Sequence, residues 1–180
     1  YKNSYFKDEK VAISTARAGN VIGGGDFAEN RIIPDCIRAA YKSQEIIVRN
    51  PYSIRPYQHV LEPLYVYLMI AKAQCENIEF AGYYNVGPDE CDCITTGDLV
   101  DLFCKEWGNG QAWKNVCNQG PHEAQFLKLD CSKLKNTFGW GPRWQITEAV
   151  VKTVEWAKVY EQNDSIVDCM EKQIRLFMLG

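Results

Sequence analysis

The chain is poor in what a metal protein or a nucleic-acid reader needs. Among 180 residues there are two histidines, His59 and His122, and none of the eight cysteines (positions 36, 75, 91, 93, 104, 117, 131 and 169) meets another at C-x-x-C spacing. Zinc-ligand spacing is therefore absent. A basic excess is absent too: 20 lysines and arginines face 23 aspartates and glutamates, for a net charge of -3. That balance excludes a broad basic face for a phosphate backbone. No run approaches the roughly 20 apolar residues that a membrane helix needs. The best candidate, Leu64 to Ala71, reads as a buried helix. No signal-peptide pattern opens the sequence. The cysteines are accordingly expected to be reduced thiols of a cytoplasmic protein rather than a disulfide framework. Cys75 and Cys104 fall in helix-like segments and are expected to act as small hydrophobes.

What is present suits a soluble globular protein. Hydrophobic residues make up 46% and charged residues 24%, enough for one sizeable core over residues 1–180. Apolar patterning predicts strands at Val11–Ala18, Ile46–Val48, Tyr83–Val86 and Phe126–Leu129. Helices are predicted at Ile33–Lys42, Leu61–Cys75, Ser132–Phe138 and Ile146–Tyr160, with one more in the tail from Asp164 to Gly180. Thr95 followed by Asp98 reads as a capping box opening a further helix to about Trp107. In Ile146–Tyr160 the stripe Ile146, Ala149, Val150, Thr153, Val154 and Ala157 falls on one helical face, which is core patterning. Strands alternating with helices place the chain in the α/β class.

Chemistry concentrates where strands give out. The first strand ends in Gly19-Asn20-Val21-Ile22-Gly23-Gly24-Gly25, four glycines in seven residues, with Arg17 just before the run and Asn20 inside it. Glycines permit close backbone approach, and in open α/β sheets ligands bind at the carboxyl ends of strands. An arginine and an amide there suit an anionic, hydroxyl-rich ligand, although a plain surface turn would read the same way. A second cluster is Arg55-Pro56-Tyr57-Gln58-His59-Val60-Leu61-Glu62-Pro63, in which Arg55 can fork onto a phosphate. His59 by itself reads as a core histidine. Tyr84-Asn85-Val86-Gly87 and Gly120-Pro121-His122-Glu123 complete the set.

The order and spacing of these clusters carry more than any one of them. Arg-x-x-Asn-Val-x-Gly at 17–23, Ile-Ile-Pro at 32–34, Arg-Pro-Tyr-Gln-His-Val at 55–60, Tyr-Asn-Val-Gly at 84–87 and Leu-Asp-x-Ser-Lys at 129–133 occur in sequence. This arrangement resembles the carboxyl-terminal half of an extended short-chain dehydrogenase/reductase acting on nucleotide sugars, over about residues 5–160. Three stretches look most like the CDP-glucose 4,6-dehydratase family. They are Gly-Gly-Gly-Asp-Phe with Arg31-Ile32-Ile33-Pro34-Asp35, then Arg55 to Leu64, then His122-Glu123-Ala124. The resemblance implies the end of a Rossmann core interleaved with a small substrate-binding lobe, the cofactor-binding amino-terminal half being absent. It also implies a full-length homodimer or higher homo-oligomer.

Two family features are missing from these residues. There is no Gly-x-x-Gly-x-x-Gly cofactor loop, and none of the ten tyrosines has a lysine four positions on. Tyr1 to Phe6 looks like the tail of the helix that would carry that Tyr-x-x-x-Lys pair. For the whole enzyme, the resemblance implies hydride transfer from the sugar's C4 to NAD, loss of water across C5 and C6, and hydride return to C6. Catalytic residues would lie outside this chain, which is expected to be inactive alone.

The roles implied here are those of substrate binding. Asn20 would contact the diphosphate or the sugar, Arg31 and Ile32 would line the nucleotide site, and Arg55 would pair with the diphosphate. Ile46 and Val48 would pack on the base, Asn85 would reach the substrate or merely cap a turn, and His122 would meet the nucleotide. Arg17 would brace the loop near the nicotinamide. The alternatives are half of a TDP- or UDP-sugar dehydratase or epimerase, and a non-catalytic nucleotide-sugar-binding fragment.

Overall fold

The computed structural model describes residues 2–6, 11–116 and 127–180. After a short helix α1 (Lys2–Tyr5), the chain runs through β1 (Thr15–Ala18) and β2 (Asn20–Ile22) to α2 (Ile32–Tyr41), β3 (Ile46–Val48) and β4 (Ile54–His59). It continues through α3 (Leu61–Glu76), β5 (Tyr83–Val86), β6 (Cys93–Thr95), α4 (Thr96–Trp107) and β7 (Trp113–Asn115). Helices α5 (Ser132–Phe138), α6 (Ile146–Glu161) and α7 (Ile166–Leu179) close the sequence of elements.

The described residues form three small sheets, not one. β1 pairs in parallel with β5, with Arg17 opposite Asn85. β2 pairs in parallel with β4, with Asn20 opposite Tyr57. β4 pairs on its other side with antiparallel β6, and β3 pairs in parallel with β7. The predicted strand Val11–Ala18 is thus confined to its second half, and the supposed glycine loop contains a second strand. Gly19 is the joint where the chain leaves β5 for β4. A Cβ there would come within 2.7 Å of the Pro56 carbonyl oxygen, so the two backbones can touch only because the residue is glycine.

Pro56 sits inside the central strand of its sheet, a place proline normally avoids. It is tolerated because β4 meets β6 over Ile54–Pro56 and β2 over Tyr57–His59. The proline lies at the changeover between partners.

Helix ends are well specified. Thr95 Oγ1 accepts from the Asp98 backbone N–H at 3.0 Å, and the Asp98 carboxylate accepts from the Thr95 N–H at 3.3 Å, completing the predicted capping box. Helix α6 lacks a cap of its own and takes one from afar: Asp92 Oδ1 accepts from the Ile146 N–H at 3.2 Å. Glu62 Oε1 does the same just upstream, accepting from the N–H groups of Arg143 and Trp144 at 2.8 Å each.

Two cores follow. The larger packs α2, β3, α4 and α6, with Cys36, Ile46, Leu99, Phe103, Ala149, Val154 and Ala157 all buried. All six residues of the predicted α6 stripe are buried. The smaller joins α3, β5 and α5 through Val66, Ile70, Tyr84, Val86 and Leu134.

Some expectations need correction. Helix α3 is buried on one face only: Leu64 is 46% and Leu68 72% exposed, and Cys75 on the same helix is exposed rather than acting as a core hydrophobe. Its apolar sequence exceeds what the described residues cover. Cys104 does pack partly against the larger core. Leu127–Leu129 is not a strand, and Phe126 lies outside the described residues. Every cysteine among the described residues is a free thiol; Cys117 lies outside them. No group among the described residues has the make-up of a metal site, and none of their helices is long and apolar enough to cross a membrane.

Candidate functional site

A cleft of about 830 Å³ opens where these sheets meet. Its floor and walls come from the β1–β2 joint, the start of α2, the carboxyl end of β3 and the start of β4. Carboxyl ends of parallel strands leave loop backbone and polar side chains unspent at one edge, which is why α/β ligands gather there.

The cleft brings together Arg17, Asn20, Arg31, Ile32, Val48 and Arg55, six of the nine site residues anticipated from the sequence. Ile46 does not line it. Strand alternation turns Ile46 and Val48 alike into the core, and Val48, the last residue of β3, borders the cleft together with Ile47, which is 46% exposed on the opposite face. Asn85 does not line it either: its Nδ2 donates to the Asp130 carbonyl at 2.9 Å, tying the segment before α5 to the end of β5. His122 lies outside the described residues.

Charge in the cleft is one-sided. Arg17, Arg31, Arg49 and Arg55 line it against Asp26 and Asp35. Arg31 Nη1 pairs with Asp26 Oδ2 at 3.1 Å, with the arginine side chain 66% exposed. Such a pair is worth about 0–1 kcal/mol and is cheaply exchanged for a phosphate. Arg38 bonds Asp35 and donates to the carbonyls of Phe27 and Ala28 at 3.1 and 3.2 Å, fixing the loop that carries Asp26 and Asn30. Arg55, by contrast, is buried, and its Nη1 donates to the Ile54 carbonyl at 2.9 Å. A buried guanidinium is held in place before any ligand arrives.

Beside Arg55 lies a buried hydroxyl cluster. Thr96 Oγ1 is 3.0 Å from Ser53 Oγ and 3.1 Å from Tyr57 Oη, and donates to the Ser53 carbonyl at 3.2 Å. All three residues line the cleft. Arg49, Asn30, Ser53 and Thr96 were missed in the sequence. Arg49-Asn50 follows the apolar strand Ile46–Val48, the same signal that singled out Arg17 and Asn20, and would have been found by applying it there.

Under the Gly23 turn sits His59, 2% exposed. Its Nδ1 accepts from the Leu61 N–H at 3.3 Å, its ring meets Trp144 edge-on at 4.9 Å, and Nε2 has no partner among the described residues. Burial, with Lys152 nearby, pushes its pKa down to about 4. It is a neutral core histidine, as read from sequence.

The glycines of 19–25 serve packing: Gly19 lies against Pro56, Gly23 against Val60 and Gly24 against the Trp156 indole.

No family model matches the chain. It is 41% identical over 184 aligned positions, 99% of the chain and 51% of the relative, to the CDP-glucose 4,6-dehydratase of Salmonella typhimurium. Among solved structures it resembles the dTDP-glucose 4,6-dehydratase of Bacillus anthracis in complex with NAD, with TM-score 0.68, 16% identity, and coverage of 88% of this chain and 49% of that one. It likewise resembles the UDP-glucuronic acid 4-epimerase of Bacillus cereus in complex with UDP-glucuronic acid and NAD, with TM-score 0.71, 15% identity, and coverage of 88% and 49%. The chain spans about half the length of the relatives it matches. Its α/β fold is that of the carboxyl-terminal half of an extended short-chain dehydrogenase/reductase.

Proposed function

We propose that this chain is the substrate-binding half of a CDP-glucose 4,6-dehydratase, a lyase that converts CDP-glucose to CDP-4-keto-6-deoxyglucose and water. The observation that carries the reading is the cleft itself: four arginines against two aspartates, gathered from the ends of β1 and β3 and the starts of α2 and β4, in a chain most of whose length aligns with such an enzyme. A nucleoside diphosphate sugar brings two negative charges, hydroxyls and a base, which suits that lining.

In this reading Arg55 holds the diphosphate from a fixed, buried position. Arg31 exchanges Asp26 for a phosphate oxygen, and Asn20 contacts the diphosphate or the sugar from the first residue of β2. Ile32 lines the nucleotide site and Val48 packs on the base. His122 would meet the nucleotide, and Arg17 braces the edge facing the nicotinamide. Asn85 and Ile46 act indirectly, one by tying down the segment before α5 and the other by backing β3. NAD supplies the redox chemistry and belongs to the amino-terminal half, with the proton-transferring groups. This chain's share is to bind and orient, so that remote binding positions the reacting sugar. The chain alone is inactive, and residues 1–180 form one partial domain that needs the rest of the sheet. The whole protein works in the cytoplasm as a homodimer or higher homo-oligomer.

The test is to incubate the full-length protein with CDP-glucose and follow the nucleotide sugar by mass spectrometry. Loss of one water from CDP-glucose supports the reading. An unchanged mass with an inverted sugar centre, or turnover of TDP- or UDP-glucose alone, would replace it with an epimerase or another dehydratase.

A further inference from the structure

We infer that Arg49 and Asn30 read the hydrogen-bonding edge of the nucleotide's base, and that the base they select is cytosine; the inference rests on the nucleotide-sugar reading above. Arg49 follows β3 and Asn30 precedes α2. Arg49 Nη2 donates to Asn30 Oδ1 at 3.2 Å, both side chains are exposed, and both line the cleft. Asn30 holds a left-handed backbone with φ of 62°, which asparagine tolerates better than most residues and which presents its amide at the rim.

The pair offers donors and an acceptor side by side. A phosphate only accepts and would use the donors alone. A nucleobase edge carries both kinds of group. Cytosine presents an exocyclic amino donor beside two acceptors, N3 and O2. When the base displaces the Arg49–Asn30 bond, the guanidinium can donate to N3 and O2 while the amide oxygen accepts from the amino group. Uracil and thymine carry N3–H and O4 at those places, so N–H would face N–H. The Asn30 amide can turn round to serve either base; the guanidinium has no acceptor to offer. Discrimination therefore falls on Arg49. Ile47, which is 46% exposed, and the half-buried Leu129 line the same cleft and supply apolar surface for the ring.

Calorimetric titration of CDP and UDP into the full-length protein tests this. The wild type should bind CDP at least about tenfold more tightly than UDP, the scale set by leaving built hydrogen-bonding groups unpaired. Arg49→Ala should weaken CDP by about the same factor, leave UDP nearly unchanged, and so erase the preference. Arg49→Lys keeps the charge and loses the fork; it too should lose the preference, and it decides the matter if the alanine variant does not fold. Asn30→Gly, which keeps the left-handed backbone, should weaken CDP more than UDP. Equal weakening of both nucleotides would make Arg49 a phosphate ligand and overturn the inference, as would an Arg49 variant that still prefers CDP. A wild type that prefers UDP overturns the inference and leaves the nucleotide-sugar reading standing, whereas one that binds neither nucleotide overturns both.

Discussion

Glu62 Oε1 accepts from the Trp144 backbone N–H, and equally from that of Arg143, at 2.8 Å across more than 80 residues of sequence. The carboxylate stands in the first turn of α3 and ties the loop before α6 to it. Its other oxygen, Oε2, has no partner among the described residues, and burial raises its pKa against the opposing pull of those two N–H donors. Removing the acceptor strands two N–H groups, at about 1–3 kcal/mol for each buried donor left unpaired. Glu62→Ala should therefore destabilise the whole protein by about 2–6 kcal/mol in urea unfolding. Glu62→Gln keeps the accepting oxygen and should cost much less. Equal losses for the two variants would mean that the charge, not the acceptor, holds the loop.

His59 makes stability depend on pH. Its folded pKa is lowered by burial to about 4, below the ordinary 6.5. The folded state thus binds fewer protons, so the contribution is present above pH 6.5 and is lost as pH falls through the window to about 4. Its full size is about 3 kcal/mol. Unfolding free energies measured across that window should decline more steeply in the wild type than in His59→Gln. Parallel curves would show that His59 does not titrate on unfolding.

Local pattern was legible; pairing was not. Ile46–Val48, Tyr83–Val86 and Ser132–Phe138 form at their predicted bounds because apolar runs, flanking turns and a helix-closing Gly139 specify them locally. Strands β2, β6 and β7 are three residues each and exist only through partners. Val21 is 36% exposed between glycines, so no run of its own announces a strand; pairing with β4 makes it one. The site followed the same rule. Arg17, Asn20 and Arg55 could be read because they end or begin elements. Ile46 and Val48 face the same core, and only Val48 borders the cleft because it ends the strand; how deep the cleft runs along β3 is set by tertiary packing, which the letters do not state.

Gly24 anchors the loop that forms one wall of the cleft. Its backbone lies on the Trp156 indole, and a Cβ there would overlap the ring. Phe27 from the same loop packs tilted against Trp156 and Tyr160, with ring centroids 6.2 and 5.3 Å away. Gly24→Ala must push the loop off α6, at about 1–3 kcal/mol for overpacking. Because Asp26, Asn30 and Arg31 ride on that loop or follow it, nucleotide affinity should fall together with stability. A variant with normal CDP affinity and normal unfolding would show that the loop has room to move.

Arg55→Ala addresses the diphosphate directly. Arg55 is buried at the start of β4 and lines the cleft together with Ser53, Tyr57 and Thr96. Its fixed position means that little side-chain entropy is lost when a ligand binds. Deleting it should weaken CDP binding by about 1–3 kcal/mol, the scale of a charge-assisted hydrogen bond. The same loss should appear for UDP, because a diphosphate contact does not see the base. Cytidine, which lacks the phosphates, should bind wild type and variant alike. If cytidine is weakened as much as CDP, Arg55 is shaping the cleft rather than holding the diphosphate; if CDP is unaffected, the diphosphate lies elsewhere.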